Sequence, residues 1–406
     1  MKIQQLFDQF LDLQNPYHVD RIEVDMEENR VDVYIHMDRG AAVTCPTCGQ
    51  VCPRYDHRAS SWRHLDLFEY TTILHCDVPR VECPEHGVVT MHVPWAEGLT
   101  GYTKIFEQQV IGWLSETTIS AVSRRMRLNV KTVASMMQRA VDRGLARRRA
   151  SDCSTLCVDE TSFKKRHKYV TVISSPVDGA VIDVREGRTA ESMSSFYRNL
   201  TPLQRHSIQR VNMDMWPAYI SATRLWLEDA DSKICFDRFH VMKMILDALD
   251  KVRRHEHKEL RGNGSGVLTG SKYVWLTNLS KMTREDKINF ADIRATVNRT
   301  SRAWSIKEAA AQLWHYLGRT WAVKEWNRWI RWARRSKLEP IKRVAATIRE
   351  HLWGIVNAIV HKTNNGFAES VNAKIQLAKK RARGYRSFEA FRVAILFYCG
   401  NMELNP

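Results

Sequence analysis

The feature that most narrows what this chain can fold into is a pair of short knuckles, Cys45-Pro46-Thr47-Cys48-Gly49 and Cys83-Pro84-Glu85-His86-Gly87, with thirty-four residues between Cys48 and Cys83. Two such knuckles, each turning tightly with Gly after its second ligand, present four soft donors tetrahedrally to one Zn2+ ion. Nine Cys occur, five of them between residues 45 and 83. An odd number, with no apolar leader after Met1-Lys2-Ile3-Gln4-Gln5, argues against a disulfide framework and for a metal site. A structural ion of this kind contributes on the order of 10 kcal/mol to folding. Four protein ligands leave no open position for catalysis. Cys52, His57, His64, His75 and Cys76 compete for the role, so the expected set Cys45, Cys48, Cys83 and His86 rests on spacing. Residues 70–76 and 78–81 read as strands that bring the knuckles together.

At 406 residues the chain is too long for one ordinary domain and suits two to four. Its 62 Lys and Arg against 45 Asp and Glu give a formal charge of +17, so the expected partner is a polyanion, by default nucleic acid. With 44% hydrophobic residues it can bury a sizeable core, which excludes wholesale disorder. No run approaches the roughly 18 apolar residues of a membrane helix. The charge is uneven. Residues 1–40 hold four basic and nine acidic residues, 101–150 hold ten and three, and 319–386 hold seventeen and four. Two separated segments therefore carry the polyanion-facing character, and the first forty residues, which read as a β-hairpin, do not share it.

Between residues 103 and 149 the pattern is helical and free of proline. Residues 117–126 form a short helix after a Thr cap, Leu128-Asn129-Val130 makes the turn, and 131–140 form a second helix. Ala121, Met126, Leu128, Val130 and Val133 match the burial pattern of a helix-turn-helix, whose second helix enters the major groove. Lys131, Thr132, Ser135 and Gln138 then face bases or phosphates, and Arg147, Arg148 and Arg149 form a phosphate-contacting linker. A plain three-helix packing unit fits the same loose pattern.

Beyond that linker, Leu156-Cys157-Val158 runs apolar into Asp159. Residues 169–174 and 181–184 are strands joined by the turn Pro176-Val177-Asp178-Gly179. After a helix near 190–200, residues 208–213 lead to Asp214, and 232–236 lead to Asp237 and another helix. Hairpin strands first, then alternating helix and strand, is the order of an RNase H-like α/β sheet. Further on, residues 365–372 open a basic helix in which Ala368, Val371, Ile375, Ala378 and Ala382 pack inward. Glu369, Asn372, Gln376, Lys380 and Arg383 fall on a neighbouring stripe. Two carboxylates at strand ends plus one on a helix are what a two-metal phosphoryl-transfer site requires. Lone acids are usually surface charges; placement at the ends of apolar strands sets these apart.

Between Asp214 and Glu369 lie 154 residues, far more than such a core needs, and about 255–350 read as a helical insertion. Trp326, Trp329 and Trp332 recur there every three residues among Arg328, Arg331, Arg334 and Arg335. Either a helix buries these rings, or an aromatic-plus-Arg surface stacks an unpaired base near a cut DNA end.

The two knuckles, the helix-turn-helix, Val158-Asp159-Glu160, Asn212-Met213-Asp214-Met215-Trp216, Asp237-Arg238-Phe239-His240-Val241, and Asn365-Gly366 with Glu369, Asn372-Ala373-Lys374-Ile375 and Arg381-Ala382-Arg383-Gly384-Tyr385-Arg386 come in a telling order. In that order the chain resembles the ISL-three family of insertion-sequence transposases over roughly residues 40–400, most specifically in the terminal helix. The resemblance implies a DDE triad at Asp159, Asp214 and Glu369 acting on DNA through two Mg2+ (or Mn2+) ions, with Asp237 as an accessory acid and His240 nearby. It implies Lys374, Lys380, Arg383 and Arg386 against phosphate, a structural Zn2+, and a homo-oligomer that joins two DNA ends. It also implies a bacterial cytoplasmic protein at the nucleoid, without membrane partners. Ser370-Val371 follows the glutamate where the family suggests Gly-Leu, which touches local packing and leaves the carboxylate in place.

The expected organisation is multidomain: an N-terminal segment at 1–40, a small zinc-binding module at 41–98, an all-α helix-turn-helix domain at 99–150, and an α/β RNase H-like catalytic domain at 151–406 with its helical insertion. Two other classes fit parts of the chain. A zinc-containing DNA-binding regulator would bind without cutting, and an RNase H-like nuclease would cut without joining.

Overall fold

The computed structural model describes residues 2–98, 100–148, 153–164, 168–363 and 366–406. The chain divides into two compact units, Met1–Arg148 with Met402–Pro406, and Arg149–Asn401.

The first unit opens with α1 (Ile3–Phe10), then β1 (Tyr17–Asp25), β2 (Arg30–Met37), β3 (Arg54–Arg63), β4 (Thr71–Cys83) and β5 (Gly87–Thr90). Strand order is β1-β2-β4-β3, with β5 also on β4. β2 and β4 run parallel, with Val33 opposite Leu74 and Ile35 opposite Cys76. Because side chains alternate across a strand, Val31, Val33, Ile35, Leu74, Cys76 and Val78 turn into one core. Trp62 and Trp95, meeting edge-on at 5.5 Å, close it. The N-terminal hairpin thus shares one sheet with the zinc-knuckle segment, and a boundary at residue 40 does not divide the fold. The strands expected at 70–76 and 78–81 are one strand, β4, running through Pro79. That proline falls beyond Cys76, the last residue paired with β2, and before Arg80, where β5 joins. β3 escapes sequence reading because its polar, mostly exposed residues show no hydrophobic alternation.

Three helices follow in the same unit, α2 (Lys104–Glu116), α3 (Ile119–Arg125) and α4 (Val130–Arg147). Each starts on a side-chain cap: Thr103 accepts from Phe106 N at 3.3 Å, Thr118 from Ala121 N at 3.3 Å, and Asn129 from Lys131 N at 2.8 Å. The turn between α3 and α4 passes through Arg127 in the left-handed region (φ 53°) and is tied by Ser123 Oγ donating to the Leu128 carbonyl at 2.6 Å. Of the residues expected inward, Val133 is buried, Ala121, Met126 and Leu128 are half-buried, and Val130, the first residue of α4, is 49% exposed; Val122, not among them, is buried. α4 also carries a buried ion cluster. Arg143 donates to Glu97, to Glu107 and, at 2.7 Å, to the Leu404 carbonyl, while Arg147 donates to the Asn405 carbonyl at 2.6 Å. A Cβ at Gly144 would lie 2.9 Å from Met402 Cβ, so the glycine lets residues 402–406 reach the helix.

In the second unit, β6 (Thr155–Lys164), β7 (Lys168–Ser175) and β8 (Ala180–Glu186) form an antiparallel meander. After α5 (Ala190–Asn199) and α6 (Pro202–Ser207), β9 (Arg210–Met213) pairs parallel with β6. After α7 (Pro217–Trp226) and α8 (Ala230–Lys233), β10 (Ile234–Phe236) pairs parallel with β9, giving the order β10-β9-β6-β7-β8. Leu156, Cys157 and Val158 on β6 are all buried, the mark of a strand covered on both faces.

The helices α9 (Arg238–Gly262), α10 (Lys272–Leu276), α11 (Arg284–Thr296), α12 (Arg299–Leu313), α13 (Arg319–Arg335), α14 (Glu339–Glu350) and α15 (Leu352–Val360) come next, then α16 (Gly366–Arg381) and α17 (Phe388–Cys399). At Gly354 a Cβ would come within 2.5 Å of the Phe236 ring, so α15 approaches β10 only because that position is glycine. Asn357, one turn on, donates to the Asp231 and Ile234 carbonyls at 2.7 and 2.9 Å and fixes the start of β10.

The aromatic-plus-Arg surface does not form as a base-stacking face. Trp326 and Trp329 are buried, their rings 5.5 Å apart, and Trp329 Nε1 donates to the Ile306 carbonyl at 2.8 Å; Trp332 alone of the three is exposed. Both readings of the three-residue spacing have the same helical period, and burial against α12 decided between them. Trp329→Ala is therefore expected to lower the stability of this unit by about 3–5 kcal/mol in chemical denaturation. A loss under about 1 kcal/mol would remove the ring from the core.

Candidate metal centres and active site

At the first cluster, Gly49 N donates to the Cys45 carbonyl at 2.9 Å and Cys45 N donates to Gln50, folding the first knuckle. Gly49 and Gly87 both take positive φ, 74° and 66°, which the tight turns require. The second knuckle is the connection from β4 to β5, with Cys83 paired to Gly87. Cys48 Sγ lies 3.7 Å from Cys83 Sγ, and His86 Nδ1 lies 3.8 Å from Cys45 Sγ and 3.4 Å from Cys83 Sγ. A tetrahedral ion with bonds of about 2.3 Å spaces its ligands by about 3.8 Å, so these residues fit zinc. The His86 ring lowers the Cys83 thiol to about 6, which makes the thiolate the prevailing form at neutral pH.

Three of the competing donors have hydrogen-bond partners outside the four. Cys52 donates to the Gln50 carbonyl, His75 Nε2 lies 2.5 Å from Asp32 and its ring stacks on Tyr34, and His64 Nδ1 lies 3.0 Å from Thr103 Oγ1. Burial lowers His64 to about 4 and raises the Cys76 thiol to about 12.

The second cluster stands at the ends of the parallel strands. Asp214 directly follows β9, and Asp237 directly follows β10 and caps α9, accepting from Phe239 N at 3.1 Å. His240 sits in the first turn of α9, its Nε2 3.0 Å from Asp214 Oδ1 and 3.8 Å from Asp237 Oδ2. Ligand atoms of Asp214, Asp237 and His240 all lie within 4.8 Å of one another. Asp237 is buried, and its Oδ2 has no hydrogen-bond partner, a free acceptor suited to a cation.

Asp159, within β6, accepts from Glu160 N at 2.7 Å on one oxygen and from Asn372 Nδ2 at 2.6 Å on the other. Burial raises Asp159 to about 6, and the charges of Asp214 and Asp237 push the same way. Burial also raises Asp237, with Asp214 and Glu369 adding. His240, which burial alone would lower, is raised by its hydrogen bond to Asp214 and by the surrounding carboxylates. Carboxylates gathered this closely, one of them buried, favour a compensating positive charge.

Of the three expected triad acids, Asp214 lies in the cluster and Asp159 lies close enough to feel its charge. Glu369, exposed in the first turn of α16, is not among the grouped ligand atoms although its charge reaches Asp237, which is. The helix itself is docked on β6 through Asn372, through Gln376 donating to Thr161 Oγ1 at 2.5 Å, and through Lys379 donating to the Ser162 carbonyl at 2.6 Å. Ala368, Val371 and Ile375 are buried, whereas Ala382, expected inward, is exposed because the helix ends at Arg381. Lys379, which the sequence reading did not single out, makes this last contact. Lys374, Lys380, Arg383 and Arg386 are all exposed.

On α4, Lys131 and Ser135 are exposed and Thr132 is half-buried. Gln138 donates to Asp142 at 2.8 Å, and Ser135 accepts from Arg139 at 3.3 Å. Arg147 is held by the Asn405 carbonyl, Arg148 is half-buried, and Arg149 lies outside the described residues. Sequence reading missed Arg188, which bonds Glu160 beside Asp159 at 3.1 Å; nothing in its local pattern marked it. Among the described residues no helix is long and apolar enough to cross a membrane.

Residues 156–395 match a family of ISL3 type described as transposase. Residues 41–86 match the zinc-finger of the transposases of IS204, IS1001, IS1096 and IS1165, and 91–141 match the helix-turn-helix domain of transposase family ISL3. The transposase for insertion sequence element IS1557 of Mycobacterium tuberculosis, strain H37Rv, is 29% identical over 89% of this chain and 87% of its own length. The transposase for IS1001 of Bordetella parapertussis is 25% identical over 93% of this chain and 94% of its own. The chain belongs to the ISL3 family of insertion-sequence transposases, and it carries that family's zinc-finger and helix-turn-helix segments.

Proposed function

We propose that this protein binds the terminal inverted repeats of its element and catalyses DNA strand cleavage and transfer of the freed 3′ end into target DNA. The observation that carries the reading is the group of Asp214, Asp237 and His240 within 4.8 Å, beside a half-buried Asp159, in a chain of this family. The sheet order, three antiparallel strands then two parallel ones with acids on β6 and after β9, supports an RNase H-like fold for the catalytic domain, 151–406. In the division we propose, residues 41–98 hold Zn2+ through Cys45, Cys48, Cys83 and His86. Residues 99–150 present α4 to the major groove through Lys131, Thr132, Ser135 and Gln138, with Arg147, Arg148 and Arg149 toward phosphate.

Two divalent cations, Mg2+ or Mn2+, supply Lewis-acid stabilisation at the scissile phosphate when bound. The chain's own residues do the rest. Asp159, Asp214 and Asp237 supply the negative charge that holds the cations. Asn372 fixes the orientation of Asp159, and His240 that of Asp214. Lys374, Lys380, Arg383 and Arg386 steady the DNA backbone on the exposed side of α16 and the segment after it. Family resemblance makes Glu369 the third triad acid; a second assignment, Asp237, is favoured by its place inside the cluster. Joining two ends calls for a dimer or larger assembly.

The test is an incubation of the full-length protein with Mg2+, duplexes ending in the element's inverted repeats, and a plasmid target. Nicked 3′-OH ends and joined products are expected, and both vanish with the cation. Binding without cutting, or cutting without joining, would replace the transposase reading with one of the two rival classes.

A further inference from the structure

Most of the large aromatic rings in the second unit are inside it: Trp275, Trp304, Trp326 and Trp329 are all buried. Two rings beside the carboxylates are not. Trp216 is 37% exposed and stands two residues after Asp214; Phe239 is 53% exposed and stands two residues after Asp237. The strands before them are neighbours in parallel register, Met213 opposite Phe236, so the two acid-to-aromatic steps leave the sheet side by side.

Trp216 is held in place. Its Nε1 donates to the Arg188 carbonyl at 3.0 Å, and the Arg188 guanidinium lies over its ring at 4.7 Å and over Tyr169 at 4.5 Å. Arg188 in turn bonds Glu160, the residue after Asp159, at 3.1 Å. With its N–H already satisfied, the indole offers apolar π-surface and no donor. Phe239 leans edge-on against His240 at 5.5 Å. A held indole and a second solvent-facing ring flanking an acid cluster match what an unpaired base requires: a flat face that every base can stack on, without sequence readout. A paired base cannot present its face, because the stack already covers it.

We infer that Trp216 and Phe239 are a base-stacking site, each receiving a nucleobase unpaired from the duplex next to the bond that is cut. This rests on the proposed DNA-cleaving activity and adds how the duplex is opened at the acids. The stacking compensates for part of the lost pairing and holds the strand so that the phosphate between the two bases faces Asp159, Asp214 and Asp237.

Two measurements test it. In the first, the full-length wild-type protein is bound, with Ca2+ in place of Mg2+, to terminal-repeat duplexes carrying 5-iodouracil close to the cleaved bond, then irradiated. Crosslinks at Trp216 or Phe239 are expected, and crosslinks at neither residue overturn the proposal. In the second, Trp216→Ala is expected to slow cleavage of a fully paired duplex roughly tenfold to a hundredfold, and only about threefold when mismatches already unpair the flanking bases. Trp216→Phe should keep most activity on both substrates. Equal loss on paired and mismatched duplexes assigns the ring a packing role and sinks the idea. If Trp216→Ala does not fold, the wild-type crosslink and the Phe variant decide. If the wild-type protein cleaves neither duplex, the transposase reading itself fails and this proposal falls with it.

Discussion

Asp159→Asn is expected to abolish strand cleavage and strand transfer while making the metal-free protein more resistant to heat. The two effects have one cause. Asp159 is half-buried beside Asp214 and Asp237, and its carboxyl is raised from an ordinary 3.8 to about 6. The folded chain therefore binds this proton more tightly than the unfolded chain. Stability from this group is present at low pH and declines as pH rises from about 4 to about 6. Above that window, holding the ionised carboxylate costs on the order of 3 kcal/mol, at about 1.4 kcal/mol per pH unit. Asparagine removes the charge and keeps the shape, so the melting temperature at pH 7.5 without divalent cations should rise.

Activity should fall at least about a thousandfold, because a lost ligand weakens charge stabilisation worth several kcal/mol in the transition state. Binding to terminal-repeat DNA should be retained. Added Mg2+ should stabilise the wild type and not the variant. A variant that still cuts and joins, or one that melts earlier than the wild type, contradicts the assignment. Running Asp237→Asn and Glu369→Gln beside it separates the two candidates for the third acid. The one whose loss silences cleavage is the ligand, and Asp237→Asn alone should also raise the metal-free melting temperature, since Glu369 is exposed.

Cys83→Ser is expected to unfold the zinc-knuckle region and leave the second unit intact. Cys83 ends β4, a strand paired in different parts with β2, β3 and β5, and its Sγ lies 3.4 and 3.7 Å from His86 and Cys48. The small core beside the cluster consists of Val43, Cys45, Cys52, Val81 and Cys83, too few side chains to hold the knuckles without an ion. Zinc contributes roughly 10 kcal/mol in comparable small modules, as much as the whole net stability of a typical domain. The purified wild type should carry about one zinc per chain and lose it with β5 hydrogen-exchange protection on chelation. The variant should lack both from the start, with the melting of the second unit unchanged. A metal-free wild type whose β5 amides are already protected would rule out a structural ion here.

What could be read from the sequence follows the range of the forces involved. The four expected zinc donors are grouped by covalent spacing within two tight turns, so their meeting was legible. Leu156-Cys157-Val158 before Asp159 was legible as a strand because a strand covered on both faces must be continuously apolar. β3 was hidden because its partners, not its own residues, make it a strand. The Lys379 contact with Ser162 was not legible: on a helix one residue is 100°, and only the docked sheet sets the phase. Asp237 was placed beside the site, but its Oδ2, 3.8 Å from His240 Nε2, depends on how β10 lies against β9, which Phe236 packing on Gly354 sets from more than a hundred residues away.

The residues that fill the groove at Gly144 are synthesised after every acid of the second unit. While a ribosome is still translating residues 149–401, α4 exists without Met402 against it, and Arg143 and Arg147 lack the Leu404 and Asn405 carbonyls. Arg143, almost wholly buried, then has only Glu97 and Glu107 for partners. A chain broken off early therefore carries a DNA-reading unit that is not fully assembled. The first unit is thus complete only once residues 402–406, which follow the whole second unit in the chain, have packed against α4.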